Sequence, residues 1–141
     1  MAQSIYERIL AEMNSKDKPR KTPSEEEHDI QCACIEWFRW QYPRLTNNLF
    51  AVPNGGGRSK SQAGKLKAEG VLAGVSDLIL LVQRGGYGGL LIEMKTAKGK
   101  QSESQKEWQS HIEQFGYKYV VCHSLEEFQK AVNDYLKQEQ I

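Results

Sequence analysis

Two short apolar runs, separated by a glycine-rich segment, most tightly limit what this chain can fold into. Residues 76–83 (SDLILLVQ) and 89–96 (GLLIEMKT) are each about one strand long, and residues 84–89 between them carry the turn chemistry of a β-hairpin. Charge sits inside both runs: Asp77 at the start of the first, Glu93 and Lys95 near the end of the second. Side chains alternate across a strand, so Glu93 and Lys95 share one face while Met94 points the other way, into the core. The turn brings Asp77 to within a few residues of facing Glu93. Two carboxylates and an ammonium thereby converge on one edge of a sheet.

Burying an unpaired carboxylate is costly, and two together repel unless a cation lies between them. Mg²⁺ fits such a pair, being a hard ion that takes one or two carboxylates, waters and a phosphate. There it would polarise a phosphoryl oxygen and activate water, with Lys95 stabilising charge on the phosphate or orienting the water. The plainer alternative is a half-exposed hairpin bearing a weak surface Glu–Lys pair. The apolar strands around these residues favour the first reading.

The rest of the chain supplies flanking helices. Residues 3–14 read as an amphipathic helix with Ile5, Ile9, Leu10 and Met13 on one side, and residues 15–23 as a polar, basic linker. Residues 24–141 form one domain. Ser24 and Glu27 stand in capping-box spacing and open a helix that ends near Tyr42, before Pro43, with Ile30, Cys34, Trp37 and Phe38 as its apolar stripe. Residues 46–52 read as a strand, and Lys60 to Glu69 as a short basic helix. Ser102 and Gln105 cap a helix that buries Trp108, Ile112 and Phe115 and stops at Gly116. A strand over 117–122 and a helix opened by Ser124, burying Phe128, Val132, Tyr135 and Leu136, complete the chain. This order predicts an α/β fold, a mixed central sheet flanked by helices, with a right-handed parallel crossover over residues 89–122.

Formal net charge is only +1, so any nucleic-acid contact must come from local clustering. Asn54, Arg58, Lys60, Lys65 and Lys67, in and after the loop Pro53-Asn54-Gly55-Gly56, form a candidate DNA-backbone contact region that would bind without reading base sequence. A solvated polar loop is the alternative. The segment is not a Walker loop, because Gly64-Lys65 is followed by Leu66. His28, Cys32, Cys34, Cys122 and His123 have no standard zinc spacing, so core thiols and surface histidines are expected. With no export signal and no long apolar run, the chain is expected to be cytoplasmic.

Gly74-Val75-Ser76-Asp77-Leu78, followed some fifteen residues later by Ile92-Glu93-Met94-Lys95, resembles the core of the PD-(D/E)XK nucleases. An early helix with Glu27 and Gln31, the Pro53-Asn54-Gly55-Gly56 loop, and Gln105 with Trp108 after the lysine narrow the resemblance to the VRR-NUC (virus-type replication-repair nuclease) family over about residues 24–136. Ser76 departs from the family's usual proline. The resemblance implies that Asp77, Glu93 and the Met94 carbonyl bind Mg²⁺, with Mn²⁺ able to substitute. Lys95 would be the catalytic lysine. Glu27 would bind or orient a metal water, and Gln105 would position the water or Lys95. It further implies a homodimeric, structure-specific DNA endonuclease of phage or bacterial type. Such an enzyme would cut branched DNA such as four-way junctions or flaps and leave a 5′-phosphate. By spacing alone, Glu27 and Gln105 could equally be capping residues. A sequence-reading restriction-type enzyme and a non-cutting DNA-binding module are the rival functions.

Overall fold

The structure is a computed structural model describing residues 4–13, 20–53 and 59–139. Helix α1 (Ile5–Met13) opens on Ser4, whose hydroxyl accepts from Glu7 N at 3.0 Å. Helix α2 (Pro23–Gln41) reaches across to it: Glu36 Oε2 accepts from Ile5 N at 2.8 Å, fixing the start of α1 against α2. Leu10, expected on the buried side of α1, is exposed.

The capping box of α2 differs from the Ser24–Glu27 expectation. Thr22 is the cap, accepting from Glu25 N while the Glu25 carboxylate accepts from Thr22 N. Proline has no N–H to satisfy and its φ suits the first helical position, so the cap must precede Pro23. Moving the cap by two residues releases Glu27 from any capping duty.

After α2, residues 43–48 form a 3₁₀ turn begun by Pro43, which delays strand β1 to Leu49–Ala51. Helix α3 (Lys60–Ala68) is capped by Ser59 and Gln62. Strands β2 (Leu78–Leu80) and β3 (Leu90–Met94) pair antiparallel, with Leu78 opposite Ile92 and Leu80 opposite Leu90. They are joined through a turn in which Gly85 and Gly86 both have positive φ, as a tight hairpin turn requires. Helix α4 (Glu103–Ile112) has the expected Ser102–Gln105 box. Phe115, expected in its buried face, falls on the 3₁₀ extension beyond α4 and is 64% exposed. Strand β4 (Lys118–Cys122) runs parallel to β3, and helix α5 (Leu125–Leu136) is capped by Ser124.

The sheet order is β1-β2-β3-β4, mixed as expected. One face carries Leu49, Leu78, Leu80, Leu90, Ile92, Met94 and Cys122. These pack with Cys34 and Phe38 of α2 and Phe128, Val132 and Tyr135 of α5. On the other face Tyr119 meets Trp108 of α4, their ring centres 6.0 Å apart. With both faces covered, every residue of β3 is buried, Glu93 included.

Gly74 ties the loop before β2 to α4. Its φ is +88°, and an added Cβ would lie 2.4 Å from the Ser104 carbonyl oxygen. Gly74→Ala would therefore meet both left-handed strain and a backbone clash. It should cost about 2–5 kcal/mol, read as a lowered midpoint in urea. An unchanged midpoint would mean that the loop does not dock as described.

Candidate active site

The hairpin register continues by one residue beyond Leu78 and Ile92, which sets Asp77 opposite Glu93 on one face of the sheet. Asp77 is held in place by the strand it faces: its Oδ2 accepts from Met94 N at 2.6 Å, and its carbonyl accepts from Val52 N at 2.8 Å. Burial pushes the Asp77 carboxyl above the ordinary aspartate value. The Met94 hydrogen bond opposes this, the Glu93 charge adds to it and Lys95 opposes it. Ser76, the departure from the family's usual proline, is fully buried, and its hydroxyl donates to the Leu78 carbonyl at 3.2 Å, so the serine leaves no orphan donor.

Glu93 is fully buried and its two oxygens have different surroundings. Oε1 accepts from the Tyr119 hydroxyl at 2.5 Å and from Gln101 Nε2 at 3.3 Å. Oε2 has no hydrogen-bond partner; the nearest cation is Lys95 Nζ at 4.0 Å. Lys95 is anchored by its backbone N–H, which donates to the Cys122 carbonyl at 2.9 Å. The Met94 side chain lies in the opposite core, so only its carbonyl could serve a ligand on this edge.

Glu27 enters from α2. It is half-buried, and its carboxyl is raised first by burial and then by the charge of Asp77, with Lys95 opposing and Glu93 adding. Glu27 thus feels the charges of Asp77, Lys95 and Glu93, from the helix whose Cys34 and Phe38 pack in the core. Gln105 is half-buried on α4, and its Oε1 accepts from Ser102 N at 2.8 Å in the cap. The amide that contacts Glu93 belongs instead to Gln101.

Among the described residues no three His, Cys, Asp or Glu side chains form a ready-made metal cage. The arrangement nonetheless fits a hard divalent ion, which needs few carboxylates and fills its remaining positions with carbonyl, water and substrate oxygens. A buried carboxylate oxygen that accepts no hydrogen bond and faces a second carboxylate keeps its lone pairs available to such an ion.

The other sequence candidates among the described residues make no side-chain hydrogen bond or ion pair to this cluster. Lys60, Lys65 and Lys67 are exposed on α3, while Asn54 and Arg58 lie outside the described residues. Gln31 lines a groove of about 460 Å³ between α1 and α2 with Ile5, Ile35 and Trp40. Cys32, Cys34 and Cys122 are free, and burial pushes the Cys122 thiol up to about 12. Sequence reasoning missed Tyr119, Gln101 and Gln109. Tyr119 reaches Glu93 only because β4 lies parallel to β3 with Tyr119 opposite Leu91, a register that no local pattern encodes.

A mixed sheet bearing an aspartate, a glutamate and a lysine at one end of its two central strands, flanked by helices on both faces, defines the PD-(D/E)XK class of nuclease folds. Residues 25–126 match the VRR-NUC domain, and the chain belongs to that family. A solved structure described as a VRR_NUC domain protein is similar to it at 26% identity and a TM-score of 0.73, covering 86% of this chain and 94% of that one. No curated protein matches it. The chain therefore has the fold of a nuclease of the PD-(D/E)XK type, as its sequence implied.

Proposed function

We propose that the chain is a Mg²⁺-dependent, structure-specific DNA endonuclease of phage or bacterial type that acts as a homodimer on branched DNA. The observation that carries this reading is Glu93 Oε2, sealed from solvent without a hydrogen-bond donor, opposite Asp77 and 4.0 Å from Lys95 Nζ. Asp77 and Glu93 would hold the ion, with the Met94 carbonyl as a further ligand and Glu27 approaching from α2. Bound there, a divalent ion supplies Lewis acidity to the scissile phosphate. Lys95, only 15% exposed, offsets charge that grows on the phosphate where water screens it poorly. Gln105, fixed by its cap at the edge of α4, is left with its amide nitrogen to orient water or Lys95. A two-fold dimer would present two such sites to the two strands of a symmetric junction.

The test offers purified protein a labelled four-way junction, a flap, a plain duplex and single-stranded DNA, with Mg²⁺ or chelator. Metal-dependent cutting of the branched substrates is the expected result, with Mn²⁺ able to replace Mg²⁺. Cutting of every duplex at one fixed sequence would identify a restriction-type enzyme. Binding without cutting in Mg²⁺ would identify a non-cutting module. A solution mass equal to one chain would remove the dimer from the proposal.

The exposed lysines of α3, with Asn54 and Arg58 preceding them, are the proposed contact to the DNA backbone. Replacing Arg58, Lys60, Lys65 and Lys67 with alanine should weaken binding on every substrate. It should flatten the dependence of log K on log salt by about 0.9 for each phosphate that is no longer neutralised. An unaltered slope would place the DNA elsewhere.

A further inference from the structure

Glu93 Oε1 is saturated by neutral donors, and the source of the second is itself fixed. The Gln101 amide nitrogen donates to Glu93 Oε1 at 3.3 Å and to Gln109 Oε1 at 2.8 Å. An amide NH₂ has two hydrogens, enough for both acceptors, and the flipped amide would set its oxygen against the Glu93 carboxylate. Gln109 lies on α4, Gln101 in the loop just before it, and Tyr119 on β4 with its ring against Trp108. Three segments therefore hold one carboxylate oxygen while leaving the other unpartnered.

We propose that Tyr119 and Gln101, the latter braced by Gln109, are positioning residues that lock Glu93 Oε1 and so confine metal binding to Oε2. This rests on the metal-site reading above and goes beyond it, because it fixes how Glu93 can bind. A carboxylate with one oxygen engaged is a one-atom ligand. Mg²⁺ and Mn²⁺ accept single oxygens in a six-coordinate shell. Ca²⁺ is larger and takes six to eight oxygens, often both from one carboxylate. The clamp thus disfavours Ca²⁺ without any residue that touches the ion being changed. It also keeps Oε2 aimed at the edge shared with Asp77 and Lys95, which lowers the ordering needed when an ion arrives.

The experiment measures binding of Mn²⁺ and of Ca²⁺ directly, by calorimetry without DNA, in the wild type, Tyr119→Phe and Gln101→Met. Tyr119→Phe keeps the ring against Trp108, and Gln101→Met keeps the length of a half-buried side chain. Thermal midpoints in chelator check that each variant is folded. The expected result is that Mn²⁺ affinity falls about 10–100-fold in Tyr119→Phe, and by less in Gln101→Met, in the range seen for groups that orient ligands. Ca²⁺ affinity should fall less or rise, so the preference for Mn²⁺ over Ca²⁺ narrows. Wild-type Mn²⁺ affinity and an unchanged ratio in Tyr119→Phe would overturn the clamp while leaving the metal site standing. Failure of the wild type to bind either ion would overturn the metal site and the clamp with it.

Discussion

Lys95→Ala and Asp77→Asn should each lower cleavage by about 10²–10³-fold or more, while folding and DNA binding persist. The two substitutions reach that result differently. Asparagine keeps a side-chain oxygen for the Met94 N–H, so the hydrogen bond that joins the loop before β2 to β3 survives in Asp77→Asn. What disappears is the negative charge opposite Glu93. Lys95→Ala removes the cation nearest Glu93 Oε2 and leaves the backbone bond to Cys122 intact. Cleavage is read on a labelled junction at saturating protein, binding on the same DNA in chelator, and folding by thermal unfolding. Wild-type rates in either variant would falsify the assignment of the catalytic edge.

Glu93→Gln should give a more unusual result: a protein about 1–3 kcal/mol more stable than the wild type in chelator, yet no longer stabilised by Mg²⁺. A fully buried carboxylate with one unpartnered oxygen is an expensive group, and the 4.0 Å separation from Lys95 Nζ is too long for a hydrogen bond. Glutamine still accepts from Tyr119 and Gln101 through its oxygen and carries no charge to desolvate, and its amide nitrogen, in the place of Oε2, has the Asp77 carboxylate opposite as an acceptor. In the wild type an added ion should raise the unfolding midpoint as its concentration passes the dissociation constant. In the variant that rise should vanish. A variant less stable than wild type in chelator would mean that the Lys95 attraction outweighs the burial.

The neighbouring carboxyls make the same cost visible through pH. Asp77 and Glu27 both have folded-state values raised above their ordinary 3.8 and 4.5, burial being the first cause in each. The folded state therefore holds these protons more tightly than the unfolded chain does. Their penalty is absent below the ordinary values, grows as pH rises through the raised ones, and is complete above them. In chelator, Asp77→Asn should thus exceed the wild type in stability at neutral pH, and the gap should close on acidification toward pH 4. A constant gap across that range would exclude titration of Asp77 as its origin.

The sequence by itself determined the elements whose signal is local. The two apolar runs and the Gly85-Gly86 turn specified the hairpin, and with it the meeting of Asp77, Glu93 and Lys95, because a two-strand register is fixed by its own turn. The Ser102 and Ser124 caps were likewise legible. Local rules failed where two of them competed. At Ser24 the capping-box spacing was outweighed by Pro23, which needs its cap one residue earlier, and at residues 46–48 a 3₁₀ turn seeded by Pro43 displaced the strand.

Only the tertiary structure decided what surrounds Glu93. The parallel register of β4, the approach of α4 across Gly74 and the packing of α2 bring Tyr119, Gln101 and Glu27 to one place from segments far apart in sequence. Burial and hydrogen-bond satisfaction depend on every element packed around a group, so no window of sequence can show that one carboxylate oxygen is clamped and its twin left bare.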